Sequence, residues 1–313
     1  MNQKASPLLI VGSMAFDDLE LPTIAAKNVV GGSATYSAYA ASVFSPVRIV
    51  AVVGDDFPTG DLEALSRRNV DLAGLERASG RTFRWAGRYD TNLMSRVTLE
   101  TQLNVFADFK PKLPKSYLDS PYLLLGNIHP ALQIEVLDQV TSPKLVIADT
   151  MNFWIEGEPE ALAQMLKRIH LLVINEEEAR QLSGQHNICK AAKDILRRGP
   201  KALIVKRGEY GALYFDGDSM FFAPAYPLED VVDPTGAGDT FAGAFAGYLA
   251  RSGDLSGPGM RRAIMAGSAA ASYCVEAVGT AKVGRLTISD VSSRLDAFRN
   301  LMHVAHDTSL AGS

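Results

Sequence analysis

From Asp233 to Leu249 the chain reads Asp-Pro-Thr-Gly-Ala-Gly-Asp-Thr, then Phe-Ala-Gly-Ala-Phe-Ala-Gly-Tyr-Leu. Gly236, Ala237 and Gly238 carry little or no side chain, so their N–H groups can approach a ligand closely. The small-residue run that follows, with Ala242, Ala246 and Ala250 at four-residue steps, predicts a closely packed helix. A glycine-rich turn entering a helix offers an anion both free N–H groups and the positive end of the helix dipole. Asp239 then falls in the first helical turn, where its carboxylate is expected to be ionised and able to take a proton from an alcohol. Backbone donors for developing negative charge, with a base beside them, are the parts that phosphoryl transfer to a hydroxyl requires. Taken alone, the same residues also read as a tight turn followed by an acidic helix cap.

These residues need a scaffold, and the rest of the chain describes one. Short, continuous apolar runs predict strands at Leu8–Val11, Val47–Val53, Tyr122–Leu125, Leu145–Ala148, Leu171–Ile174, Ala202–Val205 and Ala212–Phe215. Helical stretches intervene at Ser33–Phe44, Gly60–Arg68, Ala131–Val140, Glu160–Arg168, Glu176–Leu182 and Lys190–Arg198. This alternation predicts a doubly wound α/β domain with a mostly parallel sheet. From Thr82 to Phe106 the pattern changes to polar, aromatic and β-branched residues, alternating from Leu99 to Val105. That stretch, with Asp17–Pro22, reads as a small β-sheet projecting from the body, one face of which must be covered by a ligand or a second subunit.

Composition excludes several classes. The 31 Lys and Arg against 35 Asp and Glu give a net charge of −4, which provides no general footprint for nucleic acid or an anionic membrane. No apolar run approaches the length of a membrane helix, and Leu8–Val11 leads into Asp17-Asp18 as a strand would, so a cytoplasmic protein is expected. Cys189 and Cys274 form neither a disulfide framework nor a metal-ligand spacing. A phosphate-binding GxxxxGK[ST] loop is absent, and strand one is not followed by GxGxxG, which argues against P-loop kinases and dinucleotide-dependent dehydrogenases.

The run Asp233–Asp239 resembles the second signature of the phosphofructokinase B, or ribokinase-like, family of sugar and nucleoside kinases. Further landmarks resemble the family in order: Gly12–Asp17 after strand one, Gly31-Gly32 opening a helix, Asn175–Glu178 as N-x-x-E, and Lys206–Gly211 as the nucleotide turn. The resemblance implies a three-layer α/β/α domain spanning 1–313, with lid segments at 14–22 and 82–108. It implies Asp239 as catalytic base and the N–H groups of Gly236, Ala237 and Gly238 as anion hole. Asp17, Gly31 and Gly32 are then acceptor contacts, with Trp85, Asn104 and Asn152 as further candidates. Asn175, Lys206, Gly208, Gly211 and Gly238 would meet the nucleotide, and Glu178 would act on Mg²⁺ through water. Asp233, with the Ala277–Lys282 region, would belong to a monovalent-cation (K⁺) site. ATP and Mg²⁺ are the implied cofactors, a sugar or sugar-containing metabolite the acceptor, and a homodimer through the lid the implied partner. A ribonucleoside 5′-kinase and a catalytically silent ligand-binding relative are the alternatives. One departure stands out: where the family often has Asn four residues after the second glycine, this chain has Tyr36.

Overall fold

Alternate residues of a strand point to opposite faces, so a run that is apolar throughout must be covered on both sides. The first strand does this: Leu8 and Ile10 enter one core, and Leu9 and Val11 enter the other. The computed structural model describes residues 5–217 and 219–303. Its main sheet has nine strands, in the spatial order Ser219–Ala223, Ala212–Asp216, Ala202–Lys206, Leu171–Asn175, Leu145–Ala148, Tyr122–Leu125, Leu8–Val11, Val47–Val53 and Val70–Arg77. Pairing is parallel from Ala202–Lys206 to Val70–Arg77, and the two strands at the opposite edge add as antiparallel hairpins. Helices cover both faces, which completes the expected three-layer α/β/α arrangement.

On one face the helices Ser33–Ser42, Ala237–Ser252 and Gly257–Cys274 pack together. Glycines permit the close approach: a Cβ on Gly243 would collide with the Ser37 backbone, and one on Gly247 would come 2.8 Å from the Ala41 backbone. The contact also positions the site, because the Ser37 hydroxyl donates to the Asp239 carbonyl at 3.0 Å. A second tie joins the end of strand one to the start of the helix Ser33–Ser42. The Ser13 N–H donates to Ser33 Oγ and the Ser33 N–H to Ser13 Oγ, both at 3.1 Å.

The projecting sheet has four strands, in the order Ala25–Gly31, Ala15–Glu20, Phe83–Tyr89 and Arg96–Gln102. Two details differ from the sequence reading. Ala25–Gly31 joins this sheet although its exposed, mixed sequence carries no strand signal. The strand ends at Gln102, and Asn104 and Val105 lie in a short 3-10 helix, Asn104–Asp108, instead of continuing the alternation. Asn104 has a left-handed backbone, φ 48°, where the chain turns back towards the body.

Candidate active site

The strand ends and helix starts gather the candidate chemistry along one edge of the main sheet. Gly236 is the N-cap of the helix Ala237–Ser252, with φ 75°, and the next residues present that helix's N-terminus. Asp239 occupies its first turn, partly exposed. The end of Ala202–Lys206 brings Lys206 alongside: its Nζ lies 3.0 Å from the position a Cβ on Gly238 would take, and 3.2 Å from Asp149 Oδ2. Asp149 follows the strand Leu145–Ala148, and its Oδ1 accepts the Thr150 N–H at 2.8 Å.

Three carboxyls, Asp149, Glu178 and Asp239, therefore act on one half-buried ammonium, and the charges adjust. Burial lifts the Asp239 carboxyl to about 6; Asp149 adds to the rise, while Lys206 and Arg96 oppose it. This is above the fully ionised state expected from the helix start alone, because the helix end is recessed beside another acid. Burial, then Asp149, raises Glu178 to about 7, with Lys206 and Arg96 again opposing. Burial alone would lower the Lys206 ammonium, but Asp149, Glu178 and Asp239 outweigh it and hold the group above the ordinary lysine value.

Across the cleft lie the residues expected to meet the acceptor. Asp17 is 5% exposed, and a Cβ on Gly31 would collide with its carboxyl, so only glycine fits there. Burial, followed by the charges of Asp233, Asp239 and Asp18, pushes Asp17 up to about 8. Gly32 caps the helix Ser33–Ser42 with φ 91°, packed against the Ser13–Ala15 backbone. Tyr36 lies with its ring against Gly236. Its hydroxyl is buried with no hydrogen-bond partner among the described residues.

Asp17, Trp85 and Tyr89 share one face of the lid, and the hairpin register adds Arg96 and Thr98 to that face. Trp85 is the register partner of Asp17, its ring lies over Gly87, and its Nε1 donates to Thr98 Oγ1 at 3.2 Å. Tyr89 reaches the signature turn, with its hydroxyl 2.9 Å from Thr235 Oγ1. Asn104 is not turned to the cleft in the same way: its Nδ2 donates to the Thr82 carbonyl at 2.9 Å, at the base of the lid. Asn152 is exposed in the first turn of the short helix Asn152–Gly157 and makes no hydrogen bond to this cluster.

Among the residues expected to meet the nucleotide and its metal, Asn175 and Glu178 form a reciprocal capping box. Asn175 Oδ1 accepts the Glu178 N–H and Glu178 Oε2 accepts the Asn175 N–H, both at 2.8 Å. The box uses one Glu178 carboxyl oxygen, and the charges of Asp149 and Lys206 act on the same group. Gly208 and Gly211 both have positive φ, and a Cβ on Gly211 would strike the Ala223 carbonyl, so that glycine is required by the turn itself. Asp233 is fully buried below the signature turn; its Oδ1 accepts the Thr235 N–H at 2.9 Å and its Oδ2 the Gly279 N–H at 2.8 Å. His129 caps a helix through Nδ1, and its ring lies 5.0 Å from that of Trp154 at a 53° tilt, as a structural histidine would.

Sequence reasoning missed the Lys206–Asp149 pair as a unit, the Tyr89–Thr235 link and Arg96. Each depends on contacts between distant segments. The hairpin register gives the one available signal for Arg96, since it sets Arg96 opposite Tyr89.

A glycine-opened helix start, a carboxyl in its first turn and a neighbouring lid sheet are parts suited to phosphoryl transfer. Residues 13–285 match the family described as pfkB family carbohydrate kinase. The chain belongs to that family and is a kinase. A cytidine kinase of Thermococcus kodakarensis is 29% identical over 248 residues, covering 77% of this chain and 88% of that protein. Among solved structures, the nucleoside kinase of Methanocaldococcus jannaschii matches 94% of this chain and 99% of its own, at 20% identity and TM-score 0.76. An E. coli structure in complex with ATP and Mg²⁺ covers 93% of this chain and 99% of its own, at 20% identity and TM-score 0.77. At these identities the two structures share the fold. No helix among the described residues is long and apolar enough to cross a membrane.

Proposed function

We propose that the protein transfers the γ-phosphoryl group of ATP, with Mg²⁺, to a hydroxyl of a ribose-containing acceptor. The single observation that carries this is the placement of Asp239 in the first turn behind Gly236, with Lys206 Nζ 3.0 Å from the Cβ position of Gly238. In this reading Asp239 takes the acceptor proton, and the N–H groups of Gly236, Ala237 and Gly238 hold the transferred group. Lys206 offsets its charge, and Asp17 with Gly31 and Gly32 binds acceptor hydroxyls. The residues suit a magnesium–nucleotide: Glu178 and Asp149 offer hard carboxyl oxygens beside Lys206. Among the described residues no group of three His, Cys, Asp or Glu could hold the ion directly. Magnesium would therefore be held through its waters and the phosphates, as this ion prefers, and it would neutralise phosphate charge.

Within this class we favour a nucleoside over a free sugar. Trp85 presents an indole ring in the lid, in register with Asp17, where a base attached to a bound ribose could stack. Similarity to a cytidine kinase along most of the chain supports the same choice. The buried Asp233 carboxylate, held by Thr235 and Gly279 N–H groups, would serve a monovalent cation beside the anion hole. The lid's outer residues Val97 and Leu99, 64% and 44% exposed, would be covered in a homodimer. The deciding experiment measures ADP release with ATP and Mg²⁺ against cytidine, inosine, ribose and deoxyribose, in K⁺ and in tetramethylammonium. Turnover with a nucleoside supports the reading. Turnover with the free sugars alone refutes the nucleoside choice, and no turnover with any acceptor refutes the kinase assignment of the site.

A further inference from the structure

The helix Ser33–Ser42 meets the helix Ala237–Ser252 through small groups at Ser37 and Ala41, which face Gly243 and Gly247. At the start of this contact the chain places a full aromatic ring instead. Tyr36 is 1% exposed, and glycines from three separate segments come up against it. A Cβ on Gly236 would lie 2.4 Å from the ring atoms Cδ1 and Cε1, one on Gly31 3.4 Å from Cε2, and one on Gly279 3.9 Å from the hydroxyl oxygen. Each glycine belongs to a part of the candidate site. Gly236, with φ 75°, opens the helix that carries Asp239 in its first turn. Gly31 lies against the Asp17 carboxyl, and the Gly279 N–H donates to the buried Asp233 at 2.8 Å. The Tyr36 hydroxyl itself has no hydrogen-bond partner among the described residues.

We propose that Tyr36 is a positioning residue for phosphoryl transfer, its ring the spacer that sets the Gly236 turn against Gly31 and the Asp17 carboxyl. The inference rests on the kinase reading above, and Tyr36 acts through Gly236 rather than by touching a substrate. Backbone donors assist transfer only if they are already aimed when the charge develops. Gly236 sits in a left-handed conformation, and with no Cβ it can leave that conformation at little cost. A flat ring packed against the turn blocks this relaxation. The same ring fixes how far Asp17 stands from the turn, and an error of about 1 Å in such a spacing can lower a rate about 100-fold. A buried hydroxyl without a partner is a cost to the folded state, so the ring is what this position uses.

The test compares the full chain as wild type, Tyr36→Leu, Tyr36→Phe, Gly236→Ala and the double variant Tyr36→Leu with Gly236→Ala. Each is assayed for ADP release with ATP, Mg²⁺ and whichever of cytidine, inosine, ribose and deoxyribose wild type turns over fastest. Calorimetric titration with ADP reports that each variant is folded. Tyr36→Leu should lower kcat about 10-fold or more while ADP affinity changes less than about 2-fold. Tyr36→Phe keeps the ring and should hold kcat within about 2-fold of wild type, with a raised Tm. In the Tyr36→Leu background Gly236→Ala should lower kcat no more than about 10-fold further, because the ring that its Cβ strikes is gone. A merely structural tyrosine predicts instead a lower Tm in Tyr36→Leu with kcat per ADP site in place. That result, equal kcat losses in Tyr36→Leu and Tyr36→Phe, or fully multiplicative losses in the double variant overturn the spacer role and leave the kinase reading standing. Should Tyr36→Leu fail to bind ADP, Tyr36→Phe decides, since a 10-fold fall there places the function on the hydroxyl. Wild-type protein that turns over none of the four acceptors overturns both.

Discussion

Replacing Lys206 by Met removes one half-buried positive charge while keeping much of the side chain's volume. The ammonium lies 3.2 Å from Asp149 Oδ2 and has 19% side-chain exposure, so its field is only partly screened. It is one of two cations that hold Asp239 down to about 6. At an effective dielectric near ~20, a unit charge about 5 Å away contributes about 3 kcal/mol, or roughly 2 pKa units. Water entering the gap reduces this, so a rise of about 1–2 units is expected for the Asp239 carboxyl. In the proposed role Asp239 works as the carboxylate, so activity is present above its pKa and lost as pH falls through it. The acid limb of kcat should therefore move up by about 1–2 pH units from its wild-type position near 6. The assay is initial-rate ADP release at saturating ATP and acceptor, from pH 5 to 9 at constant ionic strength. Lys206→Arg, which keeps the charge, should leave the limb nearly in place. An acid limb that stays put or moves down in Lys206→Met refutes the electrostatic account of this cluster, whatever happens to the absolute rate.

Three further outcomes follow from the same geometry. Asp239→Asn should retain nucleotide binding and lower kcat about 10²–10⁴-fold; near-normal turnover would remove Asp239 from the base role. Gly236→Ala places a Cβ against the Tyr36 ring at a residue with φ 75°, so kcat should fall about 100-fold with circular dichroism unchanged. A full rate in that variant would show that the helix start does not hold the transferred group. For Asp17, the folded protein keeps a proton up to about pH 8, whereas an ordinary carboxyl releases it near 3.8. The stability this group contributes is present below the lower value and lost as pH rises through the higher one. Asp17→Asn should therefore gain on wild type by on the order of 3–5 kcal/mol in urea unfolding between pH 4 and pH 8.5; parallel curves would place an ionised carboxylate there.

How much of this was written in the sequence depends on the distance over which each feature is encoded. Strands such as Leu8–Val11 and Leu171–Asn175 were legible because burial on both faces demands an unbroken apolar run. Val70–Arg77 escaped notice because it is an edge strand with one wet side, and its charged positions mask the pattern. Ala25–Gly31 escaped for the same reason in the lid. The site divides the same way. The glycine turn and Asp239 are neighbours in sequence, so their geometry follows from local rules about helix starts. Lys206 and Asp149 are 57 residues apart, and their pairing follows only from the parallel order of the strands that end beside them. Arg96 is harder still. Its side of the lid depends on a register irregularity between Ala86 and Gly87, and a slip of one residue would send it to the outer face. The parts of this site that respond to lid position are thus the ones that a list of sequence motifs omits. Any shift of specificity or rate among related chains should be sought first in the register of that hairpin.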